Sequence, residues 1–271
     1  MDITVVILFA LALLPLIAFF LFKKKKPEPV QPMPETLRRL VKDYVGFYNE
    51  LDEAGKILFE QRMQLFLSRV RLTGIKTTVE DLDKVLIAAS AIIPIFGFPG
   101  WEYMNLNEVL LYPGAFNETF DLEGSDRSTI GLVGTGPYQN VMILSKRQLR
   151  EGFENDGRKD NTAIHEFVHL VDKTDGAVDG IPEIIMAKQY IVPWLNLMQK
   201  EMKQILEERS DINPYGATNQ AEFFAVVSEY FFKRPDLLQT NHPELYKLLS
   251  TIFRQKPGGS PSTIDHSREL R

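Results

Sequence analysis

Hydrophobic and polar positions alternate along this chain in three regimes, and the first is the most uniform. From Ile3 to Phe22 (ITVVILFALALLPLIAFFLF) there are 20 consecutive positions without a charge, enough for a helix to cross a hydrocarbon core of about 30 Å. Pro15 kinks such a helix, which membrane spans tolerate. From Thr36 to about Leu72 the spacing is that of amphipathic helices. Leu37, Leu40, Val41, Tyr44, Val45 and Tyr48 share one face, and after Gly55 the residues Leu58, Met63, Phe66, Leu67 and Val70 share another. A third helix, Val79 to Ile93, is apolar nearly all round and stops at Pro94 and the turn-rich run FGFPG.

The period then shortens. Glu108 to Tyr112 (EVLLY) and Asn140 to Leu144 (NVMIL) are short, bulky apolar runs bounded by Pro, Gly and Asn, and so predict strands. Between them, 113–138 is a long connection rich in Gly, Asp, Ser and Thr, with a further short strand at Thr129 to Val133. Helical spacing returns at Ser145 to Phe153, after Thr162, at Ile184 to Arg209, at Ala221 to Lys233 and at Leu245 to Arg254. The pattern predicts an α+β fold of few strands and many helices over 36–255. A transmembrane helix at 3–22 and a basic, proline-rich linker at 23–35 (with PEPVQPMP) precede it. From Lys256 the tail (PGGSPST) has the composition of a disordered segment.

Charge adds an orientation. Lys23 to Lys26 follow the apolar run directly, whereas only Asp2 precedes it, the reverse of a cleaved signal peptide. Positive charge stays on the cytoplasmic side, so the segment is expected to run N-terminus out with the globular domain in the cytoplasm. The lysines also suit anionic lipid headgroups. The net charge is −5, of which Asp2 and the four lysines contribute +3, leaving −8 for residues 27–271. A domain that acidic argues against a nucleic-acid partner. With 44% hydrophobic and 25% charged residues in 271, the chain can bury a good-sized core. It has no cysteine, so any metal must be held by His, Asp or Glu.

Thr162 to Asp172 (TAIHEFVHLVD) carries two of the four histidines. On a helix His165 and His169 lie one above the other and can direct two imidazoles at one ion. Glu166 beside them can reach a water on that ion, take its proton and pass it to a leaving amine. Asp172, on the same face, is expected to hydrogen-bond a ligand histidine from behind. The competing reading is an ordinary amphipathic helix, since Ile164, Phe167, Val168 and Val171 are core material. No H-x-x-G-x-x-H follows, and His242 and His266 lie in loop or tail settings, so a third ligand is more readily a carboxylate. The apolar helix in Tyr215 to Phe232 (YGATNQAEFFAVVSEYFF) offers Glu222 and Glu229, seven apart on one face. Each has a plain alternative: Glu222 as half of a capping box with Asn219, and Glu229 on a solvated edge.

HEFVHLVD followed by YGATNQAEFFAVVSEYFF resembles the Mlc titration factor A family of zinc-dependent peptidases, and the two blocks are also similar to the catalytic domain of anthrax lethal factor. The first resemblance runs from about Leu51 to Arg254 and includes EVLLYPGAF and TIGLV; the second covers the motif helices alone. It implies a gluzincin-like fold with a short mixed sheet, and Zn2+ held by His165, His169 and Glu222. It further implies Glu166 as general base and Tyr215 as the donor to the tetrahedral oxyanion; the plain alternative for Tyr215 is an aromatic plug packing its loop against the core. Peptide or protein substrates follow, with a hint of aminopeptidase-like action, and an edge strand, assigned to NVMIL, that pairs with an extended peptide. Where soluble members carry a histidine after Ile-Gly-Leu-Val, this chain has Gly134, so the fourth metal position is expected to be open. The family's named role, binding a transcriptional regulator, supplies the rival reading: a membrane-tethered binding protein that keeps the fold without proteolysis.

Overall fold

The helix Asp81–Ile95 is buried along nearly its whole length, and the other elements are arranged by what they must cover on it. The structure, a computed structural model, describes residues 32–115, 131–133, 140–154 and 157–258. The expected span 3–22, Lys23 to Lys26, Gly134 and residues 259–271 lie outside these. Among the described residues no helix is long and apolar enough to cross a membrane.

The helices in chain order are α1 (Glu35–Tyr44), α2 (Gly46–Asn49), α3 (Glu53–Arg69), α4 (Asp81–Ile95), α5 (Lys146–Glu151), α6 (Thr162–Asp172), α7 (Ile191–Leu206), α8 (Gln220–Lys233), α9 (Pro235–Asn241) and α10 (Pro243–Phe253). The strands are β1 (Arg71–Gly74), β2 (Glu108–Tyr112), β3 (Gly131–Val133) and β4 (Val141–Ser145). They form one mixed sheet in the order β1-β2-β4-β3, in which β1, β2 and β4 are parallel and β3 runs antiparallel to β4. Glu108 stands opposite Val141, and Gly131 opposite Leu144. Helix α4 packs against α1, α3, α5 and α6, and α6 in turn against α8.

NVMIL, assigned above to an edge of the sheet, is not at one. β4 pairs with β2 on one side and β3 on the other, so its backbone groups are committed. The edges are β1 and β3, and β3 also contacts α6. β1 is hidden in the sequence because its four residues, none of them buried, are too few to show alternation. The helix expected from Ile184 begins only at Ile191. Pro193 lacks an N–H, and deeper in a helix its ring would clash with the carbonyl four residues earlier; in the first turn neither costs anything, which favours a helix that starts just before it. Helix α9 is an addition to the elements expected; its N-terminal Pro235, like Pro243 of α10, sits where a missing N–H costs nothing.

Among the described residues, several buried charged groups are held in pairs or networks. Asp83 is fully buried on α4 but meets Arg150 Nε at 2.8 Å and Lys146 Nζ at 3.2 Å, tying α4 to α5. The far end of α4 leaves carbonyls without helical partners, and distant side chains supply donors. Arg62 Nη1 donates to the carbonyls of Ile95 and Phe96, and Gln255 Nε2 to that of Ile93 at 2.9 Å. The last described residues remain attached, because Tyr246 Oη donates to the Pro257 carbonyl and Gly258 N–H to Glu50. The packed chain therefore continues past Lys256, where composition alone starts the tail.

At the α9–α10 junction His242 bridges two acids, Nδ1 with Glu201 at 3.0 Å and Nε2 with Asp211 at 2.6 Å. Asp211 also accepts from Lys159, Tyr230 and Asn241, so one network joins α7, α8, α9 and the segment leading into α6. Burial opposes a charged His242, but the hydrogen bonds to Glu201 and Asp211 outweigh it and raise its pKa. A raised folded-state pKa gives stabilisation that is complete below the unfolded value, about 6.5, and is lost as pH rises through the folded one. His242→Gln should therefore lower the melting temperature more at about pH 6 than at about pH 9. Equal losses at both pH values, by calorimetry, would show that the imidazolium charge contributes nothing.

Candidate metal centre

Asn161 starts the HEFVH helix as its N-cap, its side chain accepting from Ile164 N–H at 3.1 Å. From there the 3.6-residue period separates two faces. Ile164, Phe167, Val168 and Val171 are buried in the core, Phe167 edge-on to Phe66. His165 and His169 point the other way, toward Glu222 and Glu229 of α8. The amphipathic-helix reading is thus correct for one face and leaves the other free for chemistry.

Asn219 caps α8 by accepting from Glu222 N–H at 2.9 Å. This is half of the capping box, but the Glu222 carboxylate faces the histidines rather than its own helix start. Its Oε2 lies 2.9 Å from His165 Nε2 and 3.4 Å from His169 Nε2, and the two Nε2 atoms are 3.0 Å apart. Donor atoms bound tetrahedrally to zinc at about 2.0–2.1 Å stand roughly 3.3 Å from one another. The three atoms have close to that spacing, so the donor set fits the ion in size and in chemistry; among the described residues it is the one group of His, Asp and Glu able to hold a metal.

Glu229 is buried, so the solvated-edge alternative fails for it. Its Oε1 lies 2.6 Å from His165 Nδ1 and its Oε2 accepts from Asn161 N–H at 2.5 Å. An ionised carboxylate only accepts, so this contact puts a proton on Nδ1 and leaves Nε2 facing the cluster, a donor to Glu222 while the ring is protonated and a lone pair once it is not. Asp172 does not act as expected. Its Oδ2 accepts from Gly180 N–H at 2.8 Å rather than from a histidine, and its Oδ1 and His169 Nδ1 are both buried without a hydrogen-bond partner. Leaving α6 at its last residue, the carboxylate turns toward the following loop instead of back along the helix.

Glu166 is buried alongside. Burial raises its pKa against the pull of His165 and His169, which brings a carboxylate closer to the range where it both takes and gives a proton near neutral pH. Burial acts the same way on Glu222, but hydrogen bonds from His165 and His169 override it and hold this group down at about 2. His165 is raised: burial alone would lower it, and the Glu229 charge with the Glu222 and Glu229 hydrogen bonds prevails. The cluster binds positive charge, be it a proton or a metal ion. Tyr215 lies in the turn Pro214–Ala217 with its ring centroid 6.1 Å from that of His165. It is 52% exposed, too open for a core plug. Burial, then the charges of Glu222 and Glu166, raise its pKa and keep the hydroxyl a donor.

Two residues at this site went unread in the sequence, Gly180 and Trp194, whose indole Nε1 donates to the Gly180 carbonyl at 2.7 Å. An Asp179-Gly180 pair after the motif helix is a turn signal that marks such a position.

Over residues 20–254 the chain matches the family described as glucose-regulated metallo-peptidase M90. An uncharacterized protein of Synechocystis sp. is 30% identical over 240 residues, covering 84% of this chain and 86% of that protein. Mlc titration factor A of Serratia proteamaculans is 34% identical over 220 residues, 75% of this chain and 78% of that protein. The protein of the same name from Pectobacterium atrosepticum is 30% identical over 207 residues, 71% and 76% respectively.

The geometry separates a candidate ligand, Glu222, from a candidate support, Glu229. Glu222→Ala should abolish stoichiometric zinc binding in chelator competition. Glu229→Gln, which keeps an acceptor but loses the charge behind His165, should weaken binding by about 10- to 100-fold. A larger loss at Glu229 than at Glu222 would reverse the assignment.

Proposed function

The chain belongs to the glucose-regulated metallo-peptidase M90 family, and from its site we propose that it is a zinc-dependent peptidase with His165, His169 and Glu222 as metal ligands and Glu166 as general base. The observation that carries this reading is the convergence of two imidazoles and a carboxylate at zinc-like spacing beside a buried acid whose pKa is raised. Bound zinc would supply Lewis-acid polarisation of the scissile carbonyl and of the attacking water. Glu166 takes the proton of that water and returns it to the departing amine, and burial keeps its basicity high enough for both transfers. Glu229 holds His165 in one tautomer and one orientation. The Tyr215 hydroxyl, half exposed at the mouth of the cluster, donates to the oxyanion as it forms.

The substrate is a peptide, and the gluzincin-like reading of the fold gives it a docking strand. β3 rather than NVMIL suits that role, being an edge strand in contact with the motif helix. We also infer aminopeptidase-like action, and anchoring by the apolar run Ile3 to Phe22 with Lys23 to Lys26 against cytoplasmic lipid headgroups. A second reading, in which the chain holds a regulatory protein without cleaving it, is favoured by the name Mlc titration factor A carried by two relatives. Glu166 and Tyr215 favour the enzyme, since holding a metal requires neither.

Glu166→Gln keeps size and hydrogen bonding but accepts no proton. Hydrolysis of a mixed peptide library should fall at least about 10²-fold with zinc still bound. Tyr215→Phe removes only the hydroxyl, and kcat should fall roughly 10²- to 10³-fold at a nearly unchanged KM. Wild-type protein that carries zinc and binds a regulator but hydrolyses nothing would leave the second reading standing.

A further inference from the structure

Gly180 lies between the motif helix and the helix that carries Glu222, touching structure on three sides. Its N–H donates to Asp172 Oδ2, three residues past His169 on α6. Its carbonyl accepts from Trp194 Nε1 on α7. Its Cα rests on the first turn of α8: a Cβ there would stand 2.3 Å from the Gln220 carbonyl oxygen and 3.2 Å from Ala221 N. Glu222 is the next residue. The backbone of Gly180 is left-handed, at φ +75°, which glycine adopts without strain.

We propose that the Asp172–Gly180–Trp194 contact is a positioning device for the third metal ligand, fixing the first turn of α8 and with it the distance of the Glu222 carboxylate from His165 and His169. The proposal rests on the zinc reading above. Nothing in the clamp touches the metal position; it acts through Glu222. The glycine cannot give way easily, because Asp172 holds it from the α6 side and Trp194 from the α7 side. Trp194 is fully buried and packs its ring against Phe223 and Phe224, directly after Glu222, with centroids 5.8 and 5.7 Å away. The load therefore passes to α8. A methyl group at Gly180 falls about 1 Å short of ordinary van der Waals contact with Gln220. Metal–ligand distances tolerate only about 0.2 Å. Asp172 thus supports the site, through the loop rather than through a histidine.

The test uses the full-length chain and reads zinc affinity by chelator competition and site geometry by the visible spectrum of the Co2+-substituted protein. Gly180→Ala should weaken zinc at least about tenfold and alter the Co2+ bands. Gly100→Ala is its control: Gly100 has φ +74°, and a methyl group there would meet nothing within 4 Å, so the change carries the same backbone strain with no push on α8. It should leave both readouts at wild type. Asp172→Ala should weaken zinc, and Asp172→Asn, which still offers Gly180 an acceptor, should restore it. That pair decides the matter if Gly180→Ala does not fold. Folded Gly180→Ala with affinity within twofold of wild type, or Asp172→Asn as weak as Asp172→Ala, would overturn the clamp alone. A wild-type chain that binds no zinc would overturn the peptidase reading together with it.

Discussion

One carboxylate holds the working parts of this protein in register. Glu229 grips His165 Nδ1 with one oxygen and the backbone N–H of Asn161 with the other, so it joins the first turn of α6 to the middle of α8. A buried carboxylate carries a large desolvation cost unless its lone pairs are used, and here both oxygens are used on the same neighbouring helix. Rotation or sliding of α6 against α8 breaks both contacts together. The positions of His165 and Glu222, which sit on opposite sides of that joint, follow from it.

Several other buried polar groups obey the same rule. Asp83 meets Lys146 and Arg150, Glu60 accepts from Tyr48 and Arg38, and His242 lies between Glu201 and Asp211. Each of these couples joins different elements. The apolar core supplies most of the driving force for packing, but it is not directional. The ion-paired couples select which packing of the helices is kept, because a shifted helix leaves a buried charge alone.

What the sequence discloses follows from the range of the signals it contains. The motif helix is legible because its signal is local: an N-cap at Asn161, a core face at 3.6-residue spacing and the two histidines on the other face. Asn219 and the apolar run of α8 are legible for the same reason. The sheet is half legible. EVLLY and NVMIL stand out as runs, but strand order depends on pairing across the chain, and the edge that NVMIL was expected to form belongs to β3. β1 is too short for its alternation to register, and α9 too short for its period. At the site, Glu222 and Glu229 are candidates by their shared face, yet their separate tasks emerge only where α6 meets α8. A histidine partner for Asp172 is the natural expectation because i+3 neighbours on a helix usually meet; the loop that captures it instead has no helical period to read.

The tie between Gln255 and the Ile93 carbonyl closes a span of 162 residues. Gly97 adds a second closure in the same place, its Cα so near Phe253 that a Cβ would lie 2.3 Å from that carbonyl oxygen. Both partners lie near the end of the described chain, whereas the helix they finish lies near its start. During synthesis Arg62 is available early to the carbonyls of Ile95 and Phe96, but the Ile93 carbonyl meets Gln255 only after 162 further residues have been added. A nascent chain of this topology can cover α4 from the side of α1 and α3 early, whereas the closure at the far end of the helix waits for the last part of the chain.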